Sequence, residues 1–141
     1  METIKKSEFS FRDFLISKSD FYRKPVDKEQ NTYDISIVPS GIIHEKDKVF
    51  QLNLEVEVTE KNDRFKAIVI IIGFFEFTEV LDENQLTNYF YTNAPAILFP
   101  YVRAYIASLT ALSGMETVNL PPINMSAPEF RDQLIQNITK Q

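Results

Sequence analysis

From position 50 to 59 the chain alternates apolar and polar residues without a slip. Phe50, Leu52, Leu54, Val56 and Val58 fall on one side, and Gln51, Asn53, Glu55, Glu57 and Thr59 on the other. A period of two is that of a β-strand with one buried and one wet face. Lys61-Asn62-Asp63-Arg64 is a short turn, so the strand after it should pair back as an antiparallel hairpin. That next strand, residues 65–78, is apolar on both faces through Ala67-Ile68-Val69-Ile70-Ile71-Ile72, and its β-branched density favours strand over helix. A strand apolar on both sides is central, or its outer face meets another subunit.

Upstream, Phe9, Phe11, Phe14, Ile16 and Phe21 punctuate a polar segment that reads as an initial strand with an irregular end. Residues 23–31 form a solvated connection with Pro25 as breaker. Tyr33-Asp34-Ile35-Ser36-Ile37 alternates, Pro39-Ser40-Gly41 interrupts, and Ile42-Ile43-His44 follows, which predicts a strand bent or broken at a sheet edge.

After position 82 the period changes. Asp82 can cap a short helix over residues 83–90, and Asn93-Ala94-Pro95 starts a second, from about 95 to 113, with Gly114 as its left-handed C′ residue. Pro100 stands inside it and should bend it. Ser126-Ala127-Pro128-Glu129 reads as an N-cap, a first-turn proline and an acid near the positive end of the helix dipole. The final helix is amphipathic, with Phe130, Leu134 and Ile138 at steps of four. The architecture is α+β, about four antiparallel strands followed by a long helix and a C-terminal helix on one face. The long helix is apolar on nearly every side, so something must cover it, and another copy of the chain is the expected cover.

A chain of 141 residues fits a single domain, 1–141. A formal net charge of −5 argues against nucleic acid or anionic lipid as main partner. The absence of cysteine removes disulfides, a thiol nucleophile and cysteine-ligated metals, and is compatible with a reducing cytoplasm. The first eight residues lack the apolar core of a signal peptide, and no apolar stretch approaches the roughly 20 residues of a bilayer span, so a soluble, cytoplasmic protein without membrane insertion is expected. Twelve Phe and six Tyr suit either a dense core or a surface that holds apolar ligands.

The runs Ile97-Leu98-Phe99-Pro100-Tyr101-Val102-Arg103-Ala104-Tyr105-Ile106 and Asn119-Leu120-Pro121-Pro122-Ile123-Asn124 resemble the SecB family of bacterial export chaperones. Members carry an ILFPYAR-type helix opening, a small-residue helix body and an NL-x-P-[VI]-N segment before the final helix. The match is specific over about residues 93–125, and upstream only the strand order and Gly73-Phe74-Phe75 correspond. The resemblance implies a four-stranded antiparallel sheet with a long helix, a homotetramer built as a dimer of dimers, and no cofactor. It also implies apolar grooves that hold unfolded preproteins and pass them to the SecA motor, or that guard one antitoxin. Two departures bear on SecA. The acidic residue that members use on the outer sheet face falls near Ile68, with Lys66 alongside, and the sequence stops at Lys140-Gln141 without the longer polar tail of many members.

No catalytic or metal constellation is evident. His44 is the one histidine, and Glu45 and Asp47 beside it read as solvated loop charge. Glu8, Asp13 and Asp20 are either an acidic docking face or solvated strand residues. Phe99, Tyr101, Arg103, Tyr105 and Ile106 are expected at an oligomer interface, where a buried Arg103 needs a carboxylate or carbonyl partner from the next subunit. Asn119 and Asn124 should fix the connection. Client contact is expected at Ile35, Ile37, Leu120, Ile123, Met125, Phe130, Leu134 and Ile138, all of which can equally be core. The expected function is ATP-independent holding of unfolded chains in protein export, or service to a single client such as an antitoxin. A small-ligand protein or thioesterase-like enzyme is the rival class and lacks a catalytic constellation.

Overall fold

The computed structural model describes residues 8–25, 32–60, 63–78 and 81–141. The first seven residues, most of the connection after Pro25, Lys61-Asn62 of the hairpin turn and Glu79-Val80 lie outside them. Four long strands, β1 (Phe9–Arg23), β2 (Tyr33–His44), β3 (Val49–Glu60) and β4 (Phe65–Phe77), are followed by α1 (Glu83–Leu86), α2 (Ala94–Leu112), α3 (Pro128–Gln136) and a short β5 (Ile138–Lys140).

The sheet order is β1-β4-β3-β2-β5, five strands where four were expected. The fifth arises because residues after α3 lie parallel to β2. Ile138, expected on the apolar face of the last helix, belongs to this strand, since the helix ends at Gln136. β3 and β4 pair as the predicted antiparallel hairpin, and β4 is interior to the sheet, between β3 and β1. β1 carries register shifts between Phe11 and Asp13 and between Ile16 and Lys18, the irregularity its uneven aromatic spacing suggested. β2 is not broken at Pro39-Ser40-Gly41, because its register with β3 runs unshifted from Tyr33 to His44. Proline is tolerated there because β2 has an edge on which a missing N–H costs no ladder bond.

The alternation of β3 sets the core. Phe50, Leu52, Leu54, Val56 and Val58 are fully buried on the face that receives α2, whose Leu98, Val102 and Ile106 are fully buried against them and β4. Gly73 of β4 lets the helix come close, since a Cβ there would stand 2.8 Å from Leu98 Cδ1.

Asp82 caps α1 as expected, accepting from Gln85 N at 2.9 Å while Gln85 Oε1 accepts from Asp82 N at 3.1 Å. The helix does not then stop and restart. Residues Thr87–Asn93 continue it as a π-helical segment, in which the Ala94 N–H reaches back to the Tyr89 carbonyl. The wider winding puts Phe90 fully inside the fold, stacked on Phe50 at 4.3 Å and tilted against Phe77 at 5.3 Å. The resulting run over 83–112 is 30 residues long with a mean hydropathy of 1.3 in its most apolar window, long and apolar enough by length and composition to cross a membrane. One face of the run is packed on the sheet, and the core helix of a soluble domain meets the same length and composition. Gly114 follows α2 at φ +80°, as its C′ role requires. Ser126 does not cap α3. Ala127 holds the N-cap position with no side-chain bond, and Ser126 is engaged by Asn124 instead.

Candidate functional site

The connection between α2 and α3 doubles back along α2 and is pinned to it at two points. Thr110, fully buried, donates its hydroxyl to the Ile106 carbonyl at 2.9 Å and accepts the Val118 N–H at 2.9 Å. Two turns earlier, Arg103 Nε donates to the Leu120 carbonyl at 3.1 Å. Val118, Leu120 and Met125 are buried beneath the connection while Pro121 and Pro122 stand exposed above. Asn124 closes the segment, its Oδ1 accepting from both the Ser126 N–H at 3.1 Å and the Ser126 hydroxyl at 2.6 Å. This side-chain-made turn directs the chain into α3, the role expected of an asparagine here. Asn119 is exposed at the rim.

Between α2 and this connection runs an open trough. One part, about 360 Å³, is lined by Phe99, Pro100, Arg103, Ile123, Asn124 and Met125 among others. A second part of about 270 Å³ shares Pro100 and Arg103 and extends along Ala104, Ala107 and Asn119. Arg103 is the one charged side chain lining either part, and its Nε is already committed to a backbone carbonyl. Such a surface offers apolar contact and shape, with nothing arranged to polarise a bond or carry a proton.

Of the residues expected to meet clients, Ile123 and Met125 line the first part of this trough and Leu120 the second. Leu120 and Met125 are 3% and 4% exposed, so they form its support more than its surface, and Leu134 is fully buried in the core. Ile35 and Ile37 are half-buried on β2, Phe130 is half-buried on α3, and Ile138 packs beside Gly41. Of the residues expected between subunits, Phe99 and Ile106 are buried within the protomer, Phe99 at the lining of the trough. Arg103 Nε has a partner within the chain, the Leu120 carbonyl. Tyr105 donates to Ser19 Oγ on β1 at 2.7 Å, and Tyr101, 40% exposed, lies 4.4 Å from the Phe14 ring. The uncovered face of α2 is instead made by Ile97, Tyr101, Ala104, Ser108 and Leu112, the last 88% exposed. Ala107 and Thr110 were not singled out in the sequence, and Pro100 and Ala104 only as a bend and as part of the family-like run. The only signal for Thr110 was a hydroxyl on an otherwise apolar face, two turns beyond Arg103.

The other side of the sheet carries a half-buried apolar row, Ile68, Ile70, Ile72 and Phe74. It is flanked by Asp20, Lys18, Leu15 and Asp13 on β1 and by Glu57, Glu55, Asn53 and Gln51 on β3. Lys66 pairs with Glu57 at 3.4 Å and Lys18 with Asp20 at 3.8 Å. Glu8 does not join Asp13 and Asp20, because it accepts from the Tyr89 hydroxyl at 3.4 Å. His44 lies at one end of this face in an open groove shared with Arg12, Asp13, Asp47, Lys48 and Glu76. Among the described residues no three His, Asp or Glu side chains are grouped to hold a metal.

The family described as preprotein translocase subunit SecB matches residues 18–136. The protein-export protein SecB of Buchnera aphidicola from Schizaphis graminum is 31% identical, over 97% of this chain and 90% of its own. An uncharacterized protein of the archaeon Methanocaldococcus jannaschii is 28% identical, over 89% of this chain and 85% of its own. Among solved structures, a Mycobacterium tuberculosis SecB-like chaperone in complex with a peptide from an antitoxin has the same fold, with a TM-score of 0.69 at 22% identity, over 82% of this chain and 88% of that one. With the strand order, the long helix and the pinned Asn119–Met125 connection in place, this chain belongs to the SecB family.

Proposed function

We propose that the protein is an ATP-independent holdase that keeps unfolded polypeptides from aggregating by taking their extended, apolar and aromatic segments into the trough beside α2. The observation that carries this reading is the trough itself: open, with Arg103 its one charged side chain and Phe99, Pro100, Ala104, Ile123 and Met125 offering apolar contact, on a backbone fixed by Thr110 and Arg103. Binding there is passive, many shallow contacts without a nucleotide or metal, and the reading contains no catalytic step. The whole chain, 1–141, acts as one domain in the cytoplasm, without membrane insertion or nucleic acid.

A homotetramer, a dimer of dimers, suits the fold. The uncovered face of α2 and the edge of β1, on which no described strand pairs, offer two separate surfaces for copies of the chain. Tyr101 and Tyr105 are the helix residues proposed to serve that assembly. Client contact falls to Ile123, with Ile35, Ile37, Phe130 and Ile138 on the neighbouring β2 and α3 side. SecA is the weaker partner candidate, because the apolar row through Ile68, with Lys66 beside it, stands where the family resemblance calls for acid.

Two tasks fit this holdase: general protein export, as the name of the Buchnera relative has it, or care of a single client, as in the Mycobacterium complex with an antitoxin peptide. Mixing the protein with an aggregation-prone unfolded substrate tests the holdase reading, and undiminished light scattering at one tetramer per substrate rejects it. A pull-down dominated by one protein encoded beside this one selects the single-client task.

A further inference from the structure

β5 is a fragment of strand laid on the edge of β2. It runs parallel to β2 and pairs only across Gly41, Ile42 and Ile43. Gly41 N–H donates to the Asn137 carbonyl at 3.2 Å, Gln141 N–H to the Ile43 carbonyl at 2.9 Å, and Glu45 N–H to the Gln141 carbonyl at 3.2 Å. Asn137 adds its side-chain amide to the Pro39 carbonyl at 3.0 Å, a group with no ladder partner of its own on that edge. Ile138 is the one anchoring side chain. Its Cδ1 occupies space that a Cβ on Gly41 would enter, 2.7 Å away, above the Phe50 ring. Thr139, Lys140 and Gln141 are exposed, and the Lys140–Glu45 pair at 3.5 Å lies in solvent.

Two features make this occupant replaceable. Parallel pairing is the weaker kind, and three residues of it give little cooperativity. A single residue, Asn137, separates the segment from α3, which is held independently by fully buried Leu134, so release needs no movement of the helix. Beyond the occupied stretch β2 continues. Ile35 and Ile37 have the same parity as Pro39, Gly41 and Ile43, so their backbone groups face the same edge, where among the described residues no strand pairs with them.

We propose that the β2 edge is a docking slot for an extended segment of another polypeptide running parallel to β2, and that residues 137–141 are its resident, displaceable occupant. The segment that fits has an asparagine for the Pro39 carbonyl, a β-branched apolar residue for the Gly41 notch directly after it, and a basic residue two positions on for Glu45. Strand addition supplies affinity through the backbone, and the notch supplies selectivity. The proposal rests on the holdase reading, which it deepens by naming how one part of the client is held.

The test is fluorescence anisotropy of a labelled synthetic peptide carrying Asn-Ile-Thr-Lys-Gln, titrated with the full chain and with its Ile138→Asp variant. If the resident segment holds the slot about nine-tenths of the time, freeing it tightens peptide binding about tenfold. A peptide with aspartate in place of its isoleucine should bind neither protein. Asn137→Ala, which removes the amide bond to Pro39, should move affinity the same way by less, and it carries the test if Ile138→Asp fails to fold. Equal affinity for the parent and the variants overturns the proposal. Aggregation suppression is measured on the same samples. Suppression with equal peptide affinities overturns the slot and leaves the holdase standing, whereas tighter peptide binding without suppression overturns the holdase and leaves the slot.

Discussion

Arg103 Nε and the Leu120 carbonyl, 3.1 Å apart, tie the middle of α2 to the middle of the connection that follows it. A cationic donor at the lining of the trough thus serves the backbone. Hydrogen bonds from charged groups contribute about 1.5–3 kcal/mol. Arg103→Met keeps the apolar stem and removes the donor, so it should lower stability by about 1–2 kcal/mol in urea unfolding, with an unchanged slope. Arg103→Lys should recover only part of this, because a single ammonium does not reproduce the direction of Nε–H.

Thr110 offers a sharper test of the same tether. Its hydroxyl accepts the buried Val118 N–H at 2.9 Å. Thr110→Val has nearly the same shape and leaves that N–H without a partner, at a cost of about 1–3 kcal/mol. Thr110→Ser retains the oxygen and should lose less. Amide exchange at Val118, measured by NMR, should accelerate in the valine variant and stay protected in the serine one.

Why the strands were legible and the tether was not follows from the kinds of signal each leaves. Phe50 to Val58 alternate because one face of β3 meets α2, and periodicity reports such a face directly. Asp82 and Gly114 announce helix ends through local chemistry that needs no distant partner. The Arg103–Leu120 and Thr110–Val118 bonds join groups 17 and 8 residues apart, and no local pattern marks them. The same is true of β5, whose place is set by the edge that β2 leaves open and by the missing side chain at Gly41. Residues 119–124 were singled out through family resemblance, while their division into buried Leu120 and half-buried Ile123 is a matter of packing that only three dimensions decide.

Gly73 and Leu98 should behave as a coupled pair. A Cβ at Gly73 would meet Leu98 Cδ1 at 2.8 Å and Cδ2 at 2.9 Å, with Phe75 Cε2 at 3.3 Å. Gly73→Ala therefore overpacks the α2–sheet contact, costing about 1–3 kcal/mol. Leu98→Val alone should cost about 1 kcal/mol for the lost methylene. Combined, the second change removes the clash that the first creates, so the double variant should be more stable than the sum of the two by at least about 0.5 kcal/mol. A double-mutant cycle by chemical denaturation reads this directly, and strict additivity would show that Phe75 or the backbone absorbs the extra methyl instead.

Acid stability should depend on Asp63. The Tyr22 hydroxyl donates to Asp63 Oδ1, and Lys24 Nζ lies 3.4 Å from Oδ2. The Tyr22 hydrogen bond first, and Lys24 second, hold the Asp63 carboxyl below the usual aspartate range. Tyr22 shifts upward in return, chiefly through the same bond. Because the folded carboxyl is the more acidic, ionised Asp63 favours the folded state. Its contribution is full above the unfolded value of about 4 and fades as pH falls through the folded value below it. Asp63→Asn is the suitable probe, since Asp63 sits at φ +56°, a conformation asparagine also tolerates. The stability difference between parent and variant should be constant from about pH 5 to 8 and shrink as pH falls from the unfolded value through the lower folded one. At alkaline pH the Tyr22 contribution runs the other way, present below about pH 10 and lost as the phenol ionises. In an NMR titration, Tyr22→Phe should return the Asp63 carboxyl toward its ordinary value; an unchanged titration would mean that Lys24, not the phenol, sets it.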